Sequence, residues 1–250
     1  MISCPVSNRE KYLPTYLNHL YNLDFPKDKI SLYFLVNNSQ DNSYSILNKF
    51  FKKHRYEYIN IMIDIYNDLT IPKDLEIRAT QIREKYIYKH LSNLRNIILS
   101  KCDSDYLFSV DSDIFLGRDI LKRLLSHNVD IVSCLIYNGY LVDKDNPYKY
   151  PNILMKKDNN LYTHLVNYWV KNPQECKVGK LIKVDATGAC ILMKKEVCQK
   201  TKYLQHFQGE DCGFAIIAER QGFQMFCDLS CFAFHAMNED YLTKYISNQL

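Results

Sequence analysis

The sequence predicts one α/β domain with a mostly parallel central sheet flanked by helices. Strand-like apolar runs alternate with stretches of helical spacing through the first half of the chain, the order that builds parallel βαβ units. Several runs are apolar at successive positions, as strands buried on both faces are. A chain of 250 residues with 47% hydrophobic content is large enough for a single core of this kind.

The elements follow in order. Residues 2–6 (ISCPV) read as a short first strand, and Ser7 or Asn8 is placed to cap a helix running to about Leu23, with Leu13, Leu17 and Leu20 on one face. Residues 30–36 (ISLYFLV) form a second strand that ends in Asn37-Asn38-Ser39-Gln40-Asp41-Asn42-Ser43, a polar turn into a helix reaching about Lys53. Residues 58–65 read as a third strand. A polar connection with Pro72 leads to a long helix over 78–100, carrying Ile82, Tyr86, Leu91, Leu94 and Ile98 at helical spacing. That helix feeds 106–115 (YLFSVDSDIF), read as one buried strand, followed by a helix over 117–127 and a strand over 130–137.

The second half is less regular. Residues 138–160 read as loop, and 161–169 as a strand or irregular segment containing Trp169, the sole tryptophan. Residues 181–184 and 189–193 flank Asp185-Ala186-Thr187-Gly188, a strand interrupted at its glycine. Gly209-Glu210-Asp211 opens a helix that closes at Gly222, where a C-terminal glycine belongs. Residues 223–234 are the last strand-like run, ending at His235, and 238–250 an amphipathic helix. No repeat or domain boundary interrupts the chain.

Composition excludes several classes. A net charge of only +4, with acids and bases interspersed, lacks the concentrated basic face of a duplex nucleic-acid binder. No apolar run is long enough to span a bilayer, and the chain opens without a signal-peptide pattern. Nine cysteines without a CxxC pair or zinc-like Cys/His spacing read as reduced core thiols. They fit a reducing compartment such as the cytoplasm, with the protein free there or peripheral at a membrane.

The chemistry concentrates on Asp111-Ser112-Asp113. Read as an extended strand, residues i and i+2 face the same way, so Asp111 and Asp113 present two carboxylates side by side. They repel unless a cation or donor lies between them, and a divalent metal that also holds phosphate oxygens answers that need. A polar strand end capping the next helix is the alternative. Ligands of open α/β sheets bind beyond the carboxyl ends of the strands. Those ends carry Pro5 and Val6, Asn37 and Asn38, Asp111 and Asp113, and later His235. Amides suited to a base edge, paired carboxylates and an imidazole on one rim fit a pyrophosphate–metal site. No GxGxxG or GxxxxGK[ST] phosphate loop is present, which disfavours a Rossmann dehydrogenase or P-loop kinase.

In the order of its elements and in these motifs the chain resembles the GT-A fold glycosyltransferases, especially the inverting family 2 type. The turn Asn38-Ser39-Gln40-Asp41-Asn42-Ser43 is similar to that family's polar turn after the second strand. Leu94-Arg95-Asn96 resembles its Ala-Arg-Asn motif, sixteen residues before Asp111. Thr187-Gly188-Ala189 resembles the small-residue segment before the acceptor site, and Glu210-Asp211 the acidic pair opening the next helix. His235 stands where related enzymes often place a third metal ligand.

The resemblance implies a single GT-A domain over 1–250, with 1–137 binding the nucleotide sugar and 138–250 supplying the acceptor site and catalysis. Asp113, with Asp111 and His235, would bind Mn²⁺ or Mg²⁺; Asp111 would otherwise contact the ribose or the metal's water, with Ser112 beside it. Asn37 or Asn38, together with Pro5 and Val6, would meet the nucleoside, and Arg95 the base or phosphate. Asp211 would be the general base on the acceptor hydroxyl, positioned with Glu210. Without that role, both acids would simply favour the helix N-terminus.

The family commonly carries an acid at the base-reading position. An amide oxygen still accepts from an imide N–H, so a UDP-sugar is the expected donor, and a glycan, glycoprotein or glycolipid the expected acceptor. The alternatives are a sugar nucleotidyltransferase, whose glycine-rich basic signature residues 3–11 do not supply, and a non-catalytic nucleotide-sugar-binding domain of the same fold.

Overall fold

A computed structural model describes residues 1–70, 86–138, 150–157, 161–165 and 180–248. The first strands, β1 (Ile2–Val6), β2 (Ser31–Asn37) and β3 (Asn60–Tyr66), are joined by α1 (Leu13–Tyr21) and α2 (Ser43–His54). Next come α3 (Tyr88–Ser100), β4 (Tyr106–Val110), β5 (Ile114–Leu116), α4 (Ile120–Ser126) and β6 (Ile131–Leu135). The strands β7 (Leu154–Lys156) and β8 (Tyr162–His164) pair only with each other. The chain closes with β9 (Leu181–Val184), β10 (Cys190–Lys194), α5 (Lys195–Lys200), α6 (Glu210–Arg220), β11 (Met225–His235) and α7 (Glu239–Ile246).

The main sheet has the order β3-β2-β1-β4-β10-β6-β11-β5, with β9 on β11. Strands β3, β2, β1 and β4 are parallel neighbours, β10 lies antiparallel between β4 and β6, and β6 pairs parallel with β11. All seven residues of β2 are buried, and they alternate between the two faces. Leu32, Phe34 and Val36 enter a core with Leu13, Tyr16 and Leu47 from α1 and α2. Tyr33 and Leu35 enter a second core with Leu94 and Ile98 of α3 and Phe214 of α6. Helices on both faces therefore bury both edges of the strand pleat, as continuous apolar runs require. Every cysteine among the described residues is a buried free thiol, and among them no helix is long and apolar enough to cross a membrane.

Two departures from the sequence expectation shape the site. Residues 106–115 are not one strand: β4 ends at Val110, the chain turns with the Ile114 N–H donating to the Asp111 carbonyl (3.0 Å), and β5 resumes against β11 instead of β1 and β10. Side-chain alternation therefore does not set Asp111 and Asp113; a turn between two strands does. The first helix begins at Leu13, with Pro14 at its start, and not at Ser7 or Asn8. Asn8, in the left-handed region (φ 51°), instead belongs to a loop locked onto the β2–α2 turn. The start of the long helix expected at Arg78 falls outside the described residues.

β11 changes partners within one strand. Its register shifts between Asp228 and Phe232 as it passes from β6 to β5. Asp228 holds that bulge by accepting from the Ser230 backbone N–H (2.9 Å) and hydroxyl (2.6 Å) and facing His127 Nε2 at 2.9 Å. A bulge re-aims the residues that follow it. Here it carries His235 opposite Ile114, and the Ala236 N–H donates to the Asp113 carbonyl (2.8 Å).

α6 packs backbone to backbone on the segment before it. A Cβ on Gly213 would overlap the Leu204 carbonyl oxygen, while next to it Phe214 stacks on Tyr203 (4.4 Å, 19°). Gly213→Ala should lower unfolding stability by about 1–3 kcal/mol, the scale of core overpacking, despite alanine's better helix propensity. A chemical-denaturation midpoint equal to or above wild type would contradict this packing.

Candidate active site

A cavity of about 400 Å³ opens beyond the carboxyl ends of β1, β2 and β4. Of the residues singled out from sequence, Pro5, Asn37, Arg95, Asp111, Ser112, Asp113 and Glu210 line it. Val6 is fully buried under the strand end. Ser7, Asn8, Arg9, Ile87, His90 and Leu91 also line it, and none of these is placed in the site by the sequence. The Ser-Asn-Arg-Glu step directly after the first strand, and a histidine one turn before Leu94-Arg95-Asn96, were the available signals.

Arg95 is the centre of the wall. α3 buries it to 5% exposure, and a guanidinium in that position must be neutralised to be tolerated. Its Nη2 lies 2.6 Å from Asp111 Oδ1, its Nη1 donates to the Ser109 hydroxyl (3.1 Å), and its Nε lies 4.0 Å from Glu210 Oε1. Burial works against its charge, but Asp111, Glu210 and Asp211 outweigh burial and hold its pKa well above the ordinary value.

Asp111, Glu210 and Asp211 thus share one buried cation. Burial pushes Asp211's pKa well above the carboxylate range, with Glu210 and Asp111 reinforcing the shift against Arg95. Its carboxylate lies against Gly188, where any Cβ would overlap Oδ2. The glycine interruption seen in sequence is the space Asp211 occupies. The turn around it is strained: Ala189 has φ 68°, and the Cys190 N–H donates to the Gly188 carbonyl (2.9 Å), the rare three-residue turn. Buried Asn152 steadies it through Thr187 Oγ1 (3.2 Å) and the Gly188 carbonyl (3.3 Å), and the Asp111 N–H donates to the Ala189 carbonyl (2.9 Å).

Asp113 has two neighbours, one per oxygen. Oδ2 accepts from Arg9 Nη2 (3.3 Å), and Oδ1 lies 3.7 Å from His235 Nε2. Burial raises its pKa, but His235 and Arg9 overcome that and hold it at about 2. His235 Nδ1 lies 2.7 Å from Asn138 Oδ1. With Nδ1 facing that amide oxygen, Nε2 is the ring nitrogen turned toward the carboxylate. That donor pair fits a hard divalent cation whose remaining positions diphosphate oxygens and water fill. Among the described residues no three His, Cys, Asp or Glu side chains gather into a ready metal cluster, and Asp111's near oxygen is engaged by Arg95.

The two amides expected at the base are held by the protein. Asn37 donates to the Val6 carbonyl (3.0 Å) and its Oδ1 meets His90 Nε2 (3.1 Å). Asn38, at φ 46°, donates to the Asp68 carbonyl (2.8 Å) and accepts the Asp68 N–H (2.9 Å). Both tie strand ends together. Trp169 lies outside the described residues.

The architecture is that of the GT-A glycosyltransferases. Staphylococcus aureus TarS 1–349, solved in complex with UDP-GlcNAc, superposes with a TM-score of 0.56 at 16% identity, covering 93% of this chain and 57% of that one. GalNAc-T7, solved with UDP, GalNAc and Mn²⁺, gives a TM-score of 0.63 at 10% identity over 94% and 43% of the two chains. Residues 1–165 match the Anp1 family model, and the chain belongs to the Anp1 family. A glycosyltransferase 25 family member of Anopheles gambiae is 25% identical over 145 residues, 56% of this chain and 24% of that protein. The chain thus spans about a quarter of the length of that curated relative.

The raised proton affinity of Asp211 has a measurable consequence. A carboxyl whose folded pKa lies above its unfolded value opposes folding once the pH exceeds the unfolded value, and has no effect below it. Asp211→Asn should therefore raise thermal stability at pH 7, by about 1–2 kcal/mol on the scale of relieved functional sites. The gain should vanish below about pH 4. Equal or lower stability at pH 7 would contradict the burial described.

Proposed function

We propose that this domain is a metal-dependent glycosyltransferase moving a sugar from a nucleotide sugar, UDP-linked by preference, to an acceptor hydroxyl with inversion. The observation that supports it most is the charge pattern of one cavity at the strand ends of a GT-A sheet. Asp113 on its wall and His235 next to it offer a cation site, and Asp211, adjacent to the lining residue Glu210, is a partly buried carboxylate of raised proton affinity. The UDP-bearing structures of TarS and GalNAc-T7 support the uridine donor.

The roles follow from position. Asp113 and His235 would hold Mn²⁺ or Mg²⁺, and Asp111 would reach the ribose or a water on the metal. The bound cation would offset the negative charge that develops on the departing diphosphate. Asp111 stays anchored to Arg95 throughout, so the wall keeps its shape. Pro5, Asn37, Asn38 and Ser112 shape the nucleoside end; either amide would exchange an intramolecular partner to read the base.

Asp211 takes the acceptor's proton as its oxygen bonds to the anomeric carbon and the bond to the diphosphate oxygen breaks on the opposite face. A base must be ionised to act, so activity rises with pH through Asp211's titration. Residues 1–137 serve the donor and 138–250 the acceptor, a glycan, glycoprotein or glycolipid.

Release of UDP from a panel of UDP-sugars, measured with Mn²⁺ and with chelator, tests the reading. Metal-dependent release is expected; absence of both turnover and metal-dependent nucleotide binding would overturn it. Asp211→Asn should lower transfer by about 10²–10⁴-fold, the range of a lost general base, with UDP affinity kept. Gly188→Ala, which evicts the Asp211 carboxylate, should lower kcat in the same direction and leave the donor KM near wild type. Unchanged kcat in both variants would remove Asp211 from the role of base.

A further inference from the structure

Arg9 faces the same cavity as Arg95, but its setting is the opposite. Arg95 is buried and has three polar neighbours. Arg9's side chain is 36% exposed, and among the described residues its guanidinium reaches one acceptor, Asp113 Oδ2 at 3.3 Å. A guanidinium carries five N–H donors, so most of this one's capacity is unspent beside the cavity. Its other contact is the face of the Tyr12 ring, 5.1 Å away.

The base of the side chain, in contrast, is held tightly. The Arg9 N–H donates to the Ser43 hydroxyl (2.8 Å), the Arg9 carbonyl accepts from the Tyr12 and Leu13 N–H groups (3.0 and 2.9 Å), and the Glu10 N–H donates to Asp41 (2.8 Å). The backbone fixes where the side chain starts and leaves its charged end one weak tether.

That tether is the carboxylate that a divalent cation would use. A divalent cation between Asp113 and His235 would stand beside the like-charged Arg9 guanidinium, and the two would repel. The two cations therefore compete for Asp113. Once released, Arg9 is a long cationic fork on the cavity wall, a shape suited to phosphate oxygens.

We infer that Arg9 is an exchangeable counter-ion: it holds Asp113 until the divalent cation takes that carboxylate, then passes to the diphosphate of the donor. The inference rests on the donor-site reading above and adds a residue and an order of events to it. Arg9 thereby opposes binding of metal alone and favours metal together with nucleotide, which couples the two ligands.

The test is calorimetric or uses Mn²⁺ spin resonance, with no turnover needed. Arg9→Met is compared with wild type for Mn²⁺ alone and for UDP at saturating Mn²⁺, with melting curves confirming the fold. Arg9→Met should bind Mn²⁺ several-fold tighter and UDP about tenfold or more weaker, the scale of one lost charge-assisted hydrogen bond. Arg9→Lys, which keeps the charge and loses the fork, should fall between in both assays. A merely structural role would move both affinities the same way. Wild type binding both ligands while Arg9→Met weakens both, or changes neither, overturns the inference alone. Wild type binding neither overturns the donor-site reading and this inference with it.

Discussion

The buried guanidinium of Arg95 is the interaction on which the site depends. Three carboxylates, on Asp111 from the turn after β4 and on Glu210 and Asp211 from the start of α6, come close together and would repel each other in a low-dielectric setting. Arg95 arrives from α3 and pairs with Asp111 at 2.6 Å, with Glu210 within 4.0 Å. Truncating Arg95 would leave these carboxylates without their cation, a loss of about 3–5 kcal/mol. With one cation for three acids the cluster is under-neutralised, and the deficit falls on Asp211, whose proton affinity is raised by burial first and by Glu210 next. Anchoring Asp111 and tuning Asp211 are thus two results of one charge count.

The remaining geometry comes from local irregularities. The strained turn at Gly188 and Ala189 clears the space in which Asp211's carboxylate sits. The bulge at Asp228 lets β11 leave β6 and run beside β5, which sets His235 next to Asp113. The locked loop after β1 fixes the root of Arg9. Regular strands would place none of these three. Backbone strain of about 1–3 kcal/mol per residue persists only where surrounding contacts over-determine it, and the hydrogen bonds of Asn152 supply that at the turn.

Much of this was legible in the sequence. The apolar runs of β1, β2 and β6, the start of β4 and the end of the helix carrying Leu94 and Ile98 stand within a few residues of expectation, because burial on both faces writes itself as uninterrupted apolar sequence. Asp111, Asp113 and Arg95 were visible as a motif set, and they do share a cavity. The reason given for the carboxylates was wrong in kind: they sit in a turn, because strand alternation cannot reveal where a strand changes partners. The amides Asn37 and Asn38 looked free for a ligand, since sequence does not say which polar groups the protein consumes itself. Arg9 was missed for the converse reason. A lone arginine after a strand reads as surface charge until its partner, distant in sequence, is known.

The central claim is that a nucleotide diphosphate and a divalent cation meet on Asp113. Anomalous scattering from crystals grown with Mn²⁺ and UDP tests it most directly. The account predicts a manganese peak bonded to Asp113 Oδ and His235 Nε2, with diphosphate oxygens completing its shell and Arg95 still on Asp111. A peak bound elsewhere, or nucleotide seated away from the ends of β1 and β4, would contradict it.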